Sequence, residues 1–162
     1  MKHTPKVVLY QSEIPHNVGS AIRLCAGMNA ELHLIRPLGF TLNDKHLRRV
    51  ALGYHQVLRP QLHNDMAAFL SSLATEEQLL LFSSKAAHPI SQLRVSERVA
   101  LLFGSETQGI SGLSTELQIR LEARSQAVKI PQAQGFRCHN LANSIAIGLY
   151  EVQRQSGFIA LE

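Results

Sequence analysis

The sequence has no tryptophan, only two cysteines and only 6% aromatic residues. Cys25 and Cys138 stand far apart, with no CxxC pair and no metal-ligand spacing. Free thiols in a reduced, cytoplasmic setting are therefore expected. Eight histidines are present, but none forms HExxH or a comparable pair, so no metal site is expected. Long apolar runs are missing too. The longest, at 99–103 and 79–82, fall far short of the roughly 20 residues that cross a bilayer, and no membrane span is expected. After the opening Met1-Lys2-His3-Thr4-Pro5-Lys6 come only Val7-Val8-Leu9-Tyr10. A signal peptide needs about 7–15 apolar residues, so none is expected. GxGxxG does not occur, which disfavours a dinucleotide Rossmann site, and no glycine-bounded loop is followed by the Lys and Ser/Thr of a Walker motif.

What is present is one domain's worth of chain, 162 residues, read as a single domain over 1–162. Hydrophobic residues make up 45% and charged residues 17%, with a mean hydropathy of −0.01. That composition excludes a disordered chain. Sixteen Lys and Arg against twelve Asp and Glu give a formal charge of +4 and a pI near 9.4. The basic excess permits a polyanionic partner without demanding one.

Short apolar runs alternate with segments of helical period. Strands are expected at 6–11, 31–36, 56–62, 79–84, 98–103 and 127–131, several of them apolar throughout, as in a sheet covered on both faces. Helices are expected at 17–29, 44–52, 65–73, 114–119 and 140–155, the last ending at Gly157. The alternation predicts an α/β fold with a mostly parallel sheet flanked by helices. Ligands of such sheets bind beyond the carboxyl ends of the strands.

Three loops are placed to do so. After the first strand, Asn17 reads as a helix N-cap, Gly19 permits a close backbone approach, and Arg23 follows one turn later on the same face. Val18, Ile22 and Cys25 share another face and read as core. After the fifth strand comes Phe103-Gly104-Ser105-Glu106-Thr107-Gln108-Gly109, where Glu106 either accepts from a ligand donor or serves as a cap. After the sixth comes a long polar loop from Ile130-Pro131 to Arg137-Cys138-His139-Asn140-Leu141-Ala142-Asn143. Its two amides, Asn140 and Asn143, either bind a ligand or tie neighbouring loops together. A basic run at Lys45, Arg48 and Arg49 is either a solvated helix face or a set of phosphate contacts.

Taken in order, Asn17-Val18-Gly19-Ser20-Ala21-Ile22-Arg23, the Phe103–Gly109 loop and the Ile130–Asn143 segment with its helix ending Tyr150-Glu151 resemble the SPOUT (SpoU–TrmD) methyltransferases. The likeness is to the small TrmL/YibK-type tRNA ribose 2′-O-methyltransferases and runs through nearly the whole chain. It includes Glu13-Ile14-Pro15, Pro37-Leu38-Gly39-Phe40, Asp44-Lys45-His46-Leu47-Arg48-Arg49, Gly53-Tyr54-His55 and Ser83-Ser84-Lys85. The resemblance implies a C-terminal deep trefoil knot, an exception to the rule against threaded chains. It implies a homodimer, S-adenosylmethionine as cofactor with S-adenosylhomocysteine as product, and tRNA as partner. The reaction it implies is methylation of the ribose 2′-hydroxyl of the wobble nucleotide, cytidine or a modified uridine, in leucine tRNAs.

By position, the resemblance puts the cofactor against Phe82, Gly104, Ile130, Cys138 and Asn140, and the RNA against Lys45, Arg48 and Arg49. In related chains the Phe82 position commonly carries another apolar residue. Ser is usual at Cys138 and Ala142, and an apolar residue, often Met, at Gln132. Arg23 is the implied central residue. An arginine stays protonated, so its expected role is to bind the adjacent phosphate and polarise the hydroxyl. Asn17 would hold that arm of the site, Glu106 would orient Arg23 or contact the substrate, and Tyr150 would line the substrate side. The rival readings are an RNA- and cofactor-binding module without transfer activity, and an α/β enzyme for a small nucleotide.

Overall fold

A computed structural model describes residues 3–158 and 161; positions 1, 2, 159, 160 and 162 of the expected 1–162 domain lie outside the described residues. Its sheet has six parallel strands: β1 (Lys6–Tyr10), β2 (Glu31–Ile35), β3 (Gln61–His63), β4 (Gln78–Phe82), β5 (Val99–Phe103) and β6 (Ser125–Val128). They lie in the order β3-β2-β1-β5-β4-β6. The helices are α1 (Pro15–Gly27), α2 (Lys45–Ala51), α3 (Met66–Ser72), α4 (Thr115–Arg124) and α5 (Leu141–Gln155).

Alternate strand residues feed two cores, as the period-2 pleat requires. Val7, Leu9, Leu34, Leu101 and Phe103 pack with Val18, Ile22 and Cys25 of α1 and Ile145, Leu149 and Val152 of α5. Val8, Tyr10, Ile35, Ala100 and Leu102 pack with Met66 and Phe69 of α3 and Leu121 of α4. Both faces of β5 are buried, which explains its unbroken apolar run. Burial pushes the Cys25 thiol up to about 12, so it is inert core material.

The largest departures from the expected boundaries are at β3, β6 and α4. The strand expected at 56–62 shrinks to β3. Residues 54–56 form a 3₁₀ turn instead, and Pro60, with no N–H to give a ladder, delays pairing to Gln61. The strand expected at 127–131 starts earlier, at Ser125, because α4 runs without a loop into β6. It ends at Val128, ahead of Pro131. The helix expected at 114–119 extends to Arg124, capped by the Ser114 hydroxyl accepting from the Leu117 N–H at 3.3 Å.

The last helix ends as the sequence predicts. Gly157 has φ +71°, the Phe158 N–H reaches the Gln153 carbonyl at 2.8 Å, and the Gly157 N–H reaches the Arg154 carbonyl at 3.1 Å. This is a Schellman stop. No helix among the described residues is long and apolar enough to cross a membrane.

Candidate active site

The strand order reverses between β1 and β5, and their carboxyl ends lie side by side. That is the switch point where a doubly wound sheet opens a crevice. The first loop does not behave as its sequence suggests. Pro15 occupies the first turn of α1, where its missing N–H costs nothing, and Ile14 is the N-cap position, without a side-chain cap. Asn17 is therefore inside the first turn and not a cap. Its side chain is 2% exposed and turns toward the neighbouring loops.

There it joins a relay across three loops. Asn140 Nδ2 donates to Asn17 Oδ1 at 3.2 Å, and Asn17 Nδ2 donates to Glu106 Oε1 at 3.1 Å. The Glu106 carboxylate also accepts from the Ser12 hydroxyl at 2.9 Å and from the backbone N–H groups of Glu13 at 2.8 Å and Ile14 at 3.1 Å. In return, Glu13 Oε1 accepts from the Thr107 hydroxyl at 2.7 Å. This bond is the main cause holding the Glu13 carboxyl below its ordinary value. Charge-assisted bonds of this kind are the strong ones. The loops after β1, β5 and β6 are thus locked to one another through one carboxylate.

Arg23 is not among the hydrogen-bond partners of Glu106, which are Ser12, Glu13, Ile14 and Asn17 of the β1–α1 arm. Arg23 is exposed on α1, one turn beyond Gly19. Gly19 does permit a close approach, but by the protein itself: a Cβ there would lie 2.6 Å from the Leu47 carbonyl oxygen of α2. Lys45, Arg48 and Arg49 are exposed on α2. That helix is capped by Asp44 Oδ1, which accepts from the His46 N–H at 2.7 Å and the Leu47 N–H at 3.2 Å.

On the other side, the ends of β5, β4 and β6 are neighbours. Phe82 stacks on Phe103 with ring centroids 4.5 Å apart. Gly148 of α5 sits so close that a Cβ would fall 2.8 Å from the Phe82 ring. Gly104 is as constrained, a Cβ there lying 2.5 Å from Gly109 Cα. Ser105 and Gly109 close that loop with paired backbone bonds of 2.9 and 3.0 Å. Ile130 is half-buried and Cys138 is exposed.

Asn140 caps α5, accepting at Oδ1 from Ala142 at 2.9 Å and Asn143 at 3.3 Å. Its tying role is realised, and one of its two amide hydrogens is left for a ligand. Asn143 is exposed and is not part of the relay. Tyr150 lies about 15 Å along α5 from Asn140, exposed and beside Phe158 at 5.5 Å. Within one chain it does not join the other residues. The sequence reading assigned nothing to Ser12 or Thr107 and no role to Glu13. The signal was there in polar residues placed directly at the ends of the two central strands.

A doubly wound parallel sheet with polar loops locked together at its switch point defines an α/β enzyme that works at its carboxyl edge. This chain belongs to the SpoU rRNA methylase family, whose model matches residues 5–150. It is 38% identical over 156 residues to a tRNA (cytidine(34)-2′-O)-methyltransferase of Yersinia pestis, covering 94% of each chain. It is 37% identical over 152 residues to the enzyme of that name from Escherichia coli K12, again covering 94% of each. Among solved structures, one from work on 2-OH methylation of C/U34 on tRNA superposes with a TM-score of 0.86 at 37% identity, covering 98% of this chain and 99% of the other. A putative RNA methyltransferase from Bacillus anthracis gives 0.82 at 31% identity, covering 98% of each.

Proposed function

We propose that this protein is an S-adenosylmethionine-dependent methyltransferase acting on the ribose 2′-hydroxyl of nucleotide 34 of tRNA, cytidine or uridine. The relatives' activity supports the reaction and the nucleotide. The observation that carries the reading is the relay Asn140–Asn17–Glu106, which fixes the arm bearing Arg23 against the loops after β5 and β6.

The residues present suit the cofactor. The third loop is open and polar, with residues 131–138 exposed, and buried His139 Nε2 has no hydrogen-bond partner among the described residues. Phe82, Gly104, Ile130, Cys138 and Asn140 are the residues that would hold S-adenosylmethionine. When bound, it supplies a sulfonium-activated methyl group to the ribose oxygen.

The protein's own part is position and charge. Arg23, permanently cationic and planar, binds the phosphate next to the reacting ribose and polarises the hydroxyl. Asn17 and Glu106 keep the arm in place. Lys45, Arg48 and Arg49 hold flanking phosphates. Holding the oxygen in line with the methyl group is worth roughly 7–11 kcal/mol.

The proposal extends to assembly. The chain leaves β6 at the edge of the sheet and returns to its centre, where Gln153 Nε2 donates to the Met28 carbonyl at 2.7 Å and Asn140 reaches Asn17. That return supports threading of residues 129–158 as the trefoil knot. Exposed Ile147 and Tyr150 on α5 and Ile14 before α1 support a homodimer, in which Tyr150 of one protomer lines the site of its partner. The protein acts in the cytoplasm, where its tRNA is.

The test is transfer of labelled methyl from S-adenosylmethionine to total tRNA, followed by mapping. The reading expects 2′-O-methylated nucleotide 34. Methyl on a base, or at another position, overturns it. Cofactor binding without any transfer would favour the inactive-module reading.

A further inference from the structure

The loop leaving β2 walls a recess that the site above does not use. Arg36, Leu38, Phe40, Thr41, Leu42 and Leu62 surround a cleft of about 460 Å³ at the carboxyl ends of β2 and β3. That size is within the range of small-ligand sites. Leu38, Phe40 and Leu42 are partly buried and rooted in the core on the α1 side. Leu62 is 39% exposed at the rim. The walls are apolar, with two polar groups, the exposed Arg36 guanidinium and the Thr41 hydroxyl. Among the described residues no acidic side chain lines the cleft, and the nearby Asp44 carboxylate is occupied in capping α2. Lys45, Arg48 and Arg49 follow on the helix that leaves it.

The cleft is fixed relative to the reacting arm. The Gly39 N–H donates to the Ser12 carbonyl at 3.0 Å, and a Cβ on Gly39 would come within 2.9 Å of Glu13 Cα. The wall between Leu38 and Phe40 is therefore packed on the two residues whose hydroxyl and backbone N–H bond Glu106. It lies on the β1–β2–β3 half of the edge, opposite the half assigned to the cofactor.

We infer that this cleft takes one unstacked nucleobase of the substrate RNA's single strand. The base packs against Phe40 and Leu62, and Arg36 meets the phosphate attached to it. The inference rests on the proposed function. The chemistry asked for is a flat apolar group joined to anions, and single-stranded RNA is read by splaying bases onto aromatic and arginine surfaces. The basic run beside the cleft complements the strand on either side of that base.

The experiment uses anticodon stem-loop RNA carrying 2-aminopurine at each loop position in turn. The native chain and the variants Phe40→Ala and Leu62→Glu are each titrated into it, with tRNA kinetics and cofactor titration on the same preparations. With the native chain, fluorescence at one position should change on binding. Both variants should lose that change and raise KM for tRNA about ten- to a hundredfold, with cofactor affinity and kcat close to native. Leu62→Glu sits on an exposed rim, so it separates the cleft from the core. Native KM and an unaltered fluorescence change in Leu62→Glu would overturn the inference, as would loss of cofactor affinity in Phe40→Ala without any effect of Leu62→Glu. If the native chain transfers no methyl group to tRNA, the proposed function itself fails.

Discussion

The arm from β1 into α1 and the loop from β6 into α5 face each other across the same edge of the sheet, yet they are built differently. The arm is saturated with internal bonds. Ser12 and Asn17 are buried, and four donors from residues 12–17 converge on Glu106. The loop is exposed from Pro131 to Cys138. Its internal bonds include the Phe136 N–H to the Ala133 carbonyl at 3.1 Å and Gln132 Nε2 to the Phe136 carbonyl at 2.8 Å. A prebuilt arm suits a task that needs fixed geometry, the presentation of a ribose oxygen. An open loop suits a task in which a ligand supplies the missing partners. Under the proposed function, the arm is the part that would serve the RNA and the loop the part that would serve the cofactor.

Substitutions can break or sharpen that comparison. The largest effect on stability is expected at Gly104, which sits between the two regions. Gly104→Ala forces a Cβ into the Gly109 backbone, and overpacking of this kind costs about 3 kcal/mol. The melting temperature should drop by about 6–12 °C, and calorimetry should show weakened cofactor binding. A native-like melt would mean the turn yields easily and does not set the gap between arm and loop.

Next is the basic run. Lys45, Arg48 and Arg49 all changed to Ala should flatten the salt dependence of tRNA binding by ~2–3 in logarithmic slope, because fewer counterions are released. Cofactor affinity and melting temperature should hold. An unchanged slope would return the run to a solvated face.

A smaller effect belongs to neither region. His33 and His63 pair at 2.9 Å near the β2–β3 edge, and burial is the main cause that lowers both imidazoles below the ordinary value of 6.5. The unfolded chain therefore takes up protons first as pH falls. Stability should decline below about pH 6.5 and level off once the pH is beneath the lowered folded values. Thermal melts from pH 8 to pH 5 check this, and His63→Gln should flatten the decline. A melt that rises on acidification would contradict the sign.

The smallest effect is Cys138→Ser in the open loop. Serine is the stronger donor, so cofactor affinity should stay native or improve by about 1 kcal/mol or less. A large loss in a calorimetric titration would give the thiol a packing role and make the loop less open than it looks.

Much of this was legible in the residues because it rests on local chemistry. Apolar runs named the central strands β1, β2 and β5, and Asn140 and Gly157 marked the ends of α5. What escaped was set by tertiary contacts. Asn17 looks like a cap, but Pro15 starts the helix earlier and frees the amide for Asn140 and Glu106. Glu106 looks able to reach Arg23, yet donors more than ninety positions away in sequence claim it. The strand expected at 56–62 loses most of its length to a 3₁₀ turn and Pro60, whose influence depends on the β2 edge it must pair with. The cleft behind Phe40 was invisible because its walls come from a loop and an edge strand that only the fold brings together.

The division between arm and loop is tested most directly with Arg23→Ala, by single-turnover methyl transfer and cofactor titration on one preparation. The account predicts a loss of about 10²–10³ in rate, equivalent to roughly 3–4 kcal/mol of transition-state stabilisation, with cofactor affinity close to native. Near-native transfer would remove Arg23 from the chemistry. Lost cofactor binding would place it in the S-adenosylmethionine site, and arm and loop would no longer have separate tasks.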